Sequence, residues 1–226
     1  MKSVLDTLTR IPAEDIGALR KMWSGDLPTP RPLGQRPAVV IVDMMEGFVR
    51  DEYPTGWSAT GVPCVEANAA LRAAAHAADI PVIYTVSEQL PHAAQVGDWL
   101  RGRPGPSMYP FDSVGPQHDI VPELTPEPQD IVLTKPKPSA FFATQLESIL
   151  NALDVDSLIV TGMTTSGCVR ATVNDGFMLN RRVIVPVEAV ADRSQLSHEV
   201  ELFDMGAKYA DIVSLESLLE DIRERS

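Results

Sequence analysis

The chain has 226 residues, 44% of them hydrophobic and 22% charged, which is the composition of an ordinary globular protein built as one large domain. Its formal net charge of -12 argues against nucleic acid as a partner, because phosphate binding needs clustered lysine and arginine. Two cysteines, no apolar run near the ~18 residues of a membrane span and no secretory signal pattern lead us to expect a cytoplasmic protein with no membrane partner.

Residues 1–36 are predicted to form an N-terminal arm that precedes the main domain. Apolar residues recur at helix-like spacing within 1–27, and closely spaced prolines then favour an extended connector. Two uses of this arm are open: it could cover its own domain or dock on a neighbouring subunit.

Residues 37–226 alternate between short apolar segments and amphipathic segments, which predicts one domain of alternating strands and helices. Strands this apolar favour a parallel sheet covered on both faces, so we expect a three-layer α/β/α fold with a central, mostly parallel sheet. The predicted strands are 38–42, 81–86, 130–134, 157–161, 182–187 and 211–213. The predicted helices are 65–78, 143–153, 169–179, 197–207 and 215–223.

The segment 88–128 departs from this pattern because it carries eight prolines. A connector of this length is unusual inside a compact domain, so a functional loop or lid is predicted here. No internal repeat or low-complexity tract is present elsewhere in the chain.

Cys168 is the first candidate for chemistry. It lies in the run Leu158–Arg170, where an apolar segment ends at Gly162 and a polar turn leads into a predicted helix. The backbone N–H groups and the positive helix end at such a junction favour a thiolate over a thiol. The alternative interpretation is a small buried hydrophobic residue at the start of a helix.

Two further polar residues follow predicted strands. Asp43 comes directly after 38–42, and Lys135 comes directly after 130–134. Taken singly, Asp43 could be a helix N-cap or turn residue, and Lys135 could be a solvated lysine before a proline. Together with Cys168 they put an acid, a cation and a thiol at the carboxyl edge of one sheet, where the sites of such folds lie, and this coincidence favours catalysis.

Three segments carry a combination of motifs: Val40-Ile-Val-Asp43 with Met44, Lys135-Pro-Lys-Pro-Ser-Ala-Phe141, and Thr161-Gly-Met-Thr-Thr-Ser-Gly-Cys-Val-Arg170. In these motifs the chain resembles the isochorismatase-like cysteine hydrolases, the superfamily of N-carbamoylsarcosine amidase, maleamate amidase, nicotinamidase and biuret hydrolase. The resemblance spans residues 37–215 in the family's order and spacing. It implies an isochorismatase-like, Rossmann-like hydrolase fold.

The resemblance also implies the roles of the three residues. Asp43 would be the general base, Lys135 the triad lysine and Cys168 the nucleophile of an amidohydrolase that works through a thioester and releases ammonia. Lys137 is a rival for the lysine role, but the family's spacing to the serine of Ser-Ala-Phe selects Lys135.

A backbone oxyanion site is implied next to the nucleophile. The family pattern implies a cis peptide bond at Met163–Thr164. This bond would aim the backbone N–H of Thr164, together with that of Cys168, at a common oxyanion.

The sequence gives no sign of a metal site. Nicotinamidases, which resemble this chain, carry a metal-binding Asp-x-His-x-x-His after the second strand. The corresponding stretch here, Thr85–His92, has a single histidine. Since one ligand cannot hold a metal, we expect no metal and no cofactor.

The substrate class follows from local motifs shared with the N-carbamoylsarcosine and maleamate amidase branch, Thr161–Arg170 and Pro186–Arg193. By that resemblance Arg193 clamps a substrate carboxylate, a role that suits a guanidinium group. The alternative for Arg193 is a salt bridge to Asp192 or another neighbour, and Arg170 is interpreted as structural. The leading class is a small amide that carries a carboxylate, such as maleamate or N-carbamoylsarcosine. Further candidate pocket residues are Lys137, Trp99 and Phe142.

Three alternatives stay open at this point. The substrate could be an uncharged ureido compound or amide such as biuret. The protein could also be a non-catalytic relative that binds a small carboxylate or a partner protein, although an intact triad argues against this. A vinyl-ether hydrolase of the isochorismatase type works without a nucleophilic cysteine, so Cys168 argues against it. The resemblance implies a homo-oligomer, either a dimer or a tetramer.

Overall fold

The structure, a computed structural model, describes residues 30–87 and 115–225. The predicted helical part of the arm and the first part of the predicted loop, with Trp99, lie outside these residues. From Arg31 onward the described residues belong to one compact unit. Leu33 is buried in its core, so the packing of this unit already includes residues ahead of the first strand.

Seven strands of the described residues form one sheet. They are β1 (Pro37–Val42), β2 (Val82–Ser87), β3 (Ile131–Lys135), β4 (Ser157–Met163), β5 (Arg182–Pro186), β6 (Val190–Ala191) and β7 (Asp211–Val213). Their order is β3-β2-β1-β4-β5-β7, and β6 pairs with β4 beyond the end of β5. Every pairing between these strands is parallel, which confirms the predicted sheet.

Helices cover both faces of the sheet. They are α1 (Glu46–Val49), α2 (Ser58–Ala77), α3 (Leu146–Ala152), α4 (Arg170–Met178), α5 (Gln195–Lys208) and α6 (Leu215–Arg223). Because side chains alternate along a strand, Val39 and Ile41 pack with α2 and α6, while Val40 and Val42 pack with α3, α4 and α5. The three-layer prediction is therefore confirmed. None of the helices in the described ranges has both the length and the apolar character that a membrane crossing needs.

The largest differences from the predicted elements lie near prolines and in short segments. The helix predicted from residue 65 begins earlier, at Ser58, and contains Pro63 near its N-terminal end, where the missing N–H and the ring disturb few helical bonds. Strand β6 was not predicted because two residues are too few to show a period. The helix after β4 begins at Arg170, beyond the cysteine, and a wide helical turn at Thr165–Val169 precedes it.

The described part of the predicted loop packs against the domain. Residues 115–128 form two short helical turns, Pro116–His118 and Pro122–Leu124. Val121 and Leu124 are fully buried, and Ile120 forms an antiparallel bridge with Met45. A lid therefore stays a prediction only for 88–114, which lie outside the described residues.

Gly162 allows the two central strands to meet at the edge that carries Asp43. Its φ is +102°, a conformation that L side chains rarely adopt, and it lies opposite Val42 in the register of β1 and β4. A Cβ atom at this position would stand 2.0 Å from the carbonyl oxygen of Val42. Position 162 therefore requires glycine, and its partner across the sheet, Val42, directly precedes Asp43.

We expect Gly162→Ala to lower the free energy of unfolding by about 3 kcal/mol, because both the backbone conformation and the clash with Val42 oppose a side chain. Urea denaturation of the purified protein measures this change. The matched control is Gly176→Ala in α4, whose φ lies outside the positive region and whose Cβ would lie 3.2 Å from a side-chain atom of Val183. Helix propensity favours alanine there by about 1 kcal/mol, which offsets the crowding against Val183. The stability of the control should therefore stay close to wild type. Equal stability of the two variants would contradict the requirement for Gly162.

Candidate active site

Three polar side chains reach the carboxyl edge of the sheet from three different elements. Asp43 directly follows β1 and has a φ of 49°. Lys135 is the last residue of β3, and Cys168 lies in the turn Thr165–Val169 after β4. Since β2 separates β3 from β1, Lys135 extends its long side chain across β2 to reach Asp43.

Lys135 joins the other two residues in one cluster. Its Nζ lies 2.7 Å from Asp43 Oδ2 and 3.4 Å from Cys168 Sγ, and it donates to the backbone oxygen of Lys137 at 3.2 Å. The side chains of Asp43 and Lys135 are 0% and 1% exposed, so the ion pair lies away from water. The structure thus brings together the acid, the cation and the thiol that the sequence predicted.

Thr85 of β2 holds the acid in place. Its Oγ1 donates to Asp43 Oδ1 at 2.9 Å, and its backbone oxygen accepts a hydrogen bond from Asp43 N at 3.1 Å. Sequence analysis did not select Thr85. The available signal was a buried hydroxyl in an apolar strand, placed opposite Val42, the residue before the acid.

The charges of the cluster act on the thiol in opposite directions. Burial and the negative charge of Asp43 raise the pKa of Cys168 to about 12, although the positive charge of Lys135 lowers it. Burial opposes the charge on Lys135, but Asp43 and Cys168 raise the pKa of this lysine overall. The raised pKa contradicts the prediction that the strand–turn–helix junction favours a thiolate. The helix begins only at Arg170, beyond the thiol, and burial prevails.

The turn Thr165–Val169, called the nucleophile turn after the predicted role of Cys168, forms one wall of a cavity of about 390 Å³. The peptide bond Met163–Thr164 that leads into this turn is cis, as the resemblance implied. Thr164 and Cys168, the predicted oxyanion donors, both line the cavity. Gly167 lies between them, where a Cβ atom would stand 2.7 Å from Thr164 Oγ1.

Arg193 lines the same cavity from the segment between β6 and α5. Its guanidinium donates to the backbone oxygen of Thr55 at 3.4 Å. The alternative of a salt bridge to Asp192 is not what the structure has, since the Asp192 carboxylate accepts instead from the backbone N–H of Arg193 at 2.8 Å. The structure therefore brings a cationic side chain to the cavity that contains the thiol.

The remaining predicted pocket residues, Lys137, Phe142 and Trp99, are not among the described residues that line the cavity. Lys137 is half-buried and contacts the cluster through its backbone oxygen rather than through the cavity wall. Phe142 is 56% exposed and is not among the described lining residues, because the neighbouring Phe141 is the ring that packs against the core. Trp99 lies outside the described residues. Arg170, interpreted as structural, forms an ion pair with Glu201 at 2.8 Å and also lines the cavity.

No group of three or more histidine, cysteine or acidic side chains within 30–87 and 115–225 has the arrangement of a metal site. His92 lies outside these ranges, so the absence of a metal stays a prediction. The second cysteine, Cys64, is buried beside Met44 and Asn68, and burial raises the pKa of its thiol to about 12. Cys168 is the cysteine that lines the cavity.

Comparison with known proteins gives consistent matches over most of the chain. The family model of the isochorismatase domain matches residues 37–217. The chain is 35% identical over 191 residues to maleamate amidohydrolase of Pseudomonas putida, covering 84% of this chain and 88% of the relative. It is 32% identical over 193 residues to N-carbamoylsarcosine amidase of an Arthrobacter species, covering 83% of this chain and 71% of the relative. A cysteine hydrolase from Pseudomonas syringae pv. phaseolicola has the same fold, with a TM-score of 0.80 at 24% identity over 89% of this chain and 100% of that one.

The raised pKa of Cys168 has a measurable consequence. At about pH 8 the thiol should react with iodoacetamide more slowly than an ordinary cysteine of pKa ~8.5, because less of it is thiolate. The rate should keep rising well above that pH. Asp43→Asn removes the negative charge that raises the pKa, so alkylation at about pH 8 should become faster.

Peptide mass spectrometry assigns the modification to Cys168 or to Cys64, which is itself buried and serves as an internal reference. A wild-type midpoint at or below the ordinary cysteine pKa would contradict the electrostatics described for this cluster.

Proposed function

Since the chain belongs to the isochorismatase family, we propose that it is a cysteine-dependent amidohydrolase that cleaves the C–N bond of a small amide or carbamoyl compound bearing a carboxylate. Its named relatives are amidohydrolases, which supports hydrolysis of an amide bond. The observation that carries the cysteine mechanism is the contact of Lys135 Nζ with both Asp43 at 2.7 Å and Cys168 at 3.4 Å.

The first half of the proposed reaction forms a thioester. Asp43 accepts the proton of Cys168 while Lys135 stabilises the developing thiolate, and the sulfur attacks the amide carbonyl carbon. The oxyanion accepts hydrogen bonds from the backbone N–H groups of Thr164 and Cys168. The proton on Asp43 then passes to the amide nitrogen, the C–N bond breaks and ammonia leaves.

The second half restores the enzyme. Asp43, now a carboxylate again, takes a proton from a water molecule that attacks the thioester carbonyl. The C–S bond breaks, the acid product leaves and Cys168 regains its proton from Asp43. Lys135 keeps its charge throughout, in keeping with the raised pKa of its ammonium group.

Arg193 supports a substrate with a carboxylate. It lines the same cavity as Cys168, and a guanidinium binds carboxylates through two parallel hydrogen bonds. Maleamate and N-carbamoylsarcosine, the substrates in the names of two relatives, both combine a small amide or ureido group with one carboxylate. We therefore propose a substrate of this class.

We expect Cys168→Ala to lower amide turnover by roughly 10³-fold or more, because the thioester path needs the sulfur. Ammonia release from maleamate, N-carbamoylsarcosine, biuret and nicotinamide is the measurement. Thermal unfolding of the variant should stay close to wild type, since the substitution removes one sulfur atom at the cavity wall and leaves the ion pair of Lys135 and Asp43 in place. Turnover retained by a folded Cys168→Ala protein would exclude the mechanism.

Replacing Arg193 by Gln should lower kcat/KM for the carboxylate substrates about 10- to 100-fold, since a hydrogen bond to a charged group contributes about 1.5–3 kcal/mol. The loss should appear mainly in KM. Biuret has no carboxylate, so its hydrolysis should change little. If wild type turned over only uncharged amides, the assignment of Arg193 would be wrong while the cysteine mechanism would stand.

Location and assembly stay predictions from the sequence. The two cysteines favour a reducing cytoplasm. The family resemblance favours a homodimer or homotetramer. Size-exclusion chromatography with light scattering measures the assembly directly.

A further inference from the structure

The carboxylate of Asp192 connects two parts of the site. Asp192 is 5% exposed and lies between β6 and α5, directly before Arg193. Its backbone oxygen also accepts a hydrogen bond from Thr60 Oγ1 at 2.8 Å, so α2 holds the segment in place. The residue is therefore held on both its backbone and its side chain.

The two carboxylate oxygens serve different segments. Oδ2 accepts from the backbone N–H of Ser166 at 2.9 Å and from the Ser166 hydroxyl at 2.7 Å, so it holds the nucleophile turn two residues before Cys168. Oδ1 accepts from the backbone N–H of Arg193 at 2.8 Å and from that of Ser194 at 3.4 Å. One buried side chain thus ties the segment that carries the thiol to the segment that carries the cavity cation.

We propose that Asp192 is a positioning residue that sets the distance between Cys168 and Arg193, so that a carboxylate bound at Arg193 places the substrate amide at the sulfur. The proposal rests on the proposed function in one respect, the assignment of the substrate carboxylate to Arg193. Asp192 itself is not among the described residues that line the cavity, and it acts through Ser166 and Arg193.

A carboxylate is the side chain that this position needs. Backbone N–H donors face both oxygens, those of Ser166 on one side and Arg193 on the other. An asparagine has one acceptor oxygen and one NH₂ group, which only donates. On the side of Arg193 and Ser194 its NH₂ group would meet two N–H donors, whereas on the side of Ser166 it meets one N–H donor and a hydroxyl that can accept. We therefore expect Asp192→Asn to release the backbone N–H of Ser166 and with it the nucleophile turn.

The chain contains a matched control for this substitution. Asp156 directly precedes β4, at the end of that strand opposite the turn that carries Cys168. It likewise accepts from two backbone N–H groups, those of Gln35 at 2.8 Å and Arg36 at 3.1 Å. It also accepts from a serine hydroxyl, that of Ser157, at 2.9 Å. Both N–H groups face Oδ2 and the hydroxyl faces Oδ1, so Asp156→Asn removes the charge of a carboxylate with the same kinds of partner, far from the thiol, without opposing an N–H donor. It should leave turnover unchanged.

The test compares maleamate with isocrotonamide, which has a methyl group in place of the carboxylate. Wild type should prefer maleamate in kcat/KM, and Arg193→Gln should remove most of this preference. Asp192→Asn should lower kcat for both amides, on the order of 10²-fold for a displacement near 1 Å, and should also reduce the preference for maleamate. In the Asp192→Asn, Arg193→Gln double variant the preference should fall no further than in Arg193→Gln alone.

Two kinetic outcomes would overturn the proposal. One is an unchanged preference for maleamate in Asp192→Asn, with both amides slowed equally as a loss of folded enzyme would do. The other is an Asp192→Asn protein as active as Asp156→Asn.

Alkylation of Cys168 tests the same link without any substrate. Release of the nucleophile turn exposes the sulfur to water and removes part of the burial that raises its pKa. Iodoacetamide should therefore react with Cys168 faster at about pH 8 in Asp192→Asn than in wild type or Asp156→Asn, while turnover falls.

This readout also separates the two proposals. If wild type hydrolysed no amide, the proposed function would fail, and unchanged alkylation in Asp192→Asn would overturn the positioning role independently. If Asp192→Asn does not fold, Ser166→Ala provides the reading, because it removes the hydroxyl bond and keeps the backbone bond to Asp192. Alkylation faster than wild type in Ser166→Ala supports the link, and an unchanged rate overturns it.

Discussion

The rest of the site depends on the buried ion pair between Lys135 and Asp43. Two charges removed from water are costly unless they meet each other and further polar groups, and here Thr85 and the backbone oxygen of Lys137 supply those groups. With the thiol protonated, the cluster of Asp43, Lys135 and Cys168 is neutral. A proton that moves from the sulfur to Asp43 leaves the cluster neutral, because the negative charge only changes its carrier. A raised pKa of the Cys168 thiol is therefore compatible with the proposed role as a nucleophile. Asp43 can accept the proton, and Lys135 contacts both groups before and after the transfer.

Much of this arrangement could be predicted from the sequence because parallel α/β folds have a strict geometry. Buried strands read as short apolar runs, their carboxyl ends share one edge, and any polar residue directly after a strand is brought to that edge. Asp43 directly after β1 and Lys135 at the end of β3 follow this rule, Cys168 lies in the turn after β4, and the three lie together in the structure. The strand order, with β2 between the acid and the lysine, could not be read from the pattern, because periodicity carries no information about which strands are neighbours.

The parts that sequence reasoning missed depend on side-chain direction and on local balance. Phe142 and Phe141 are adjacent and chemically identical, and only the packing of Phe141 against the core decides which ring turns outward. The protonation of Cys168 was missed because it results from opposing effects of burial, Asp43 and Lys135, whose sizes depend on distances. Asp192 was considered as a partner for the Arg193 side chain, whereas the structure uses it for backbone N–H groups of two segments. A buried carboxylate that accepts from several backbone N–H groups leaves no periodic pattern in the sequence from which this role could be predicted.

Strand β6 has a consequence for how this family can diversify. It joins the sheet through only two residue pairs, Gly162 with Val190 and Met163 with Ala191, yet the segment that follows carries Arg193. The acid and the lysine come from strands in the middle and on the far side of the sheet, which this attachment does not touch. A change in the segment from β6 to α5 can therefore move Arg193 while the strands that carry Asp43 and Lys135 keep their places. Such a change has one condition, namely that the hydrogen bonds between Asp192 and Ser166, which join this segment to the turn that carries Cys168, are kept.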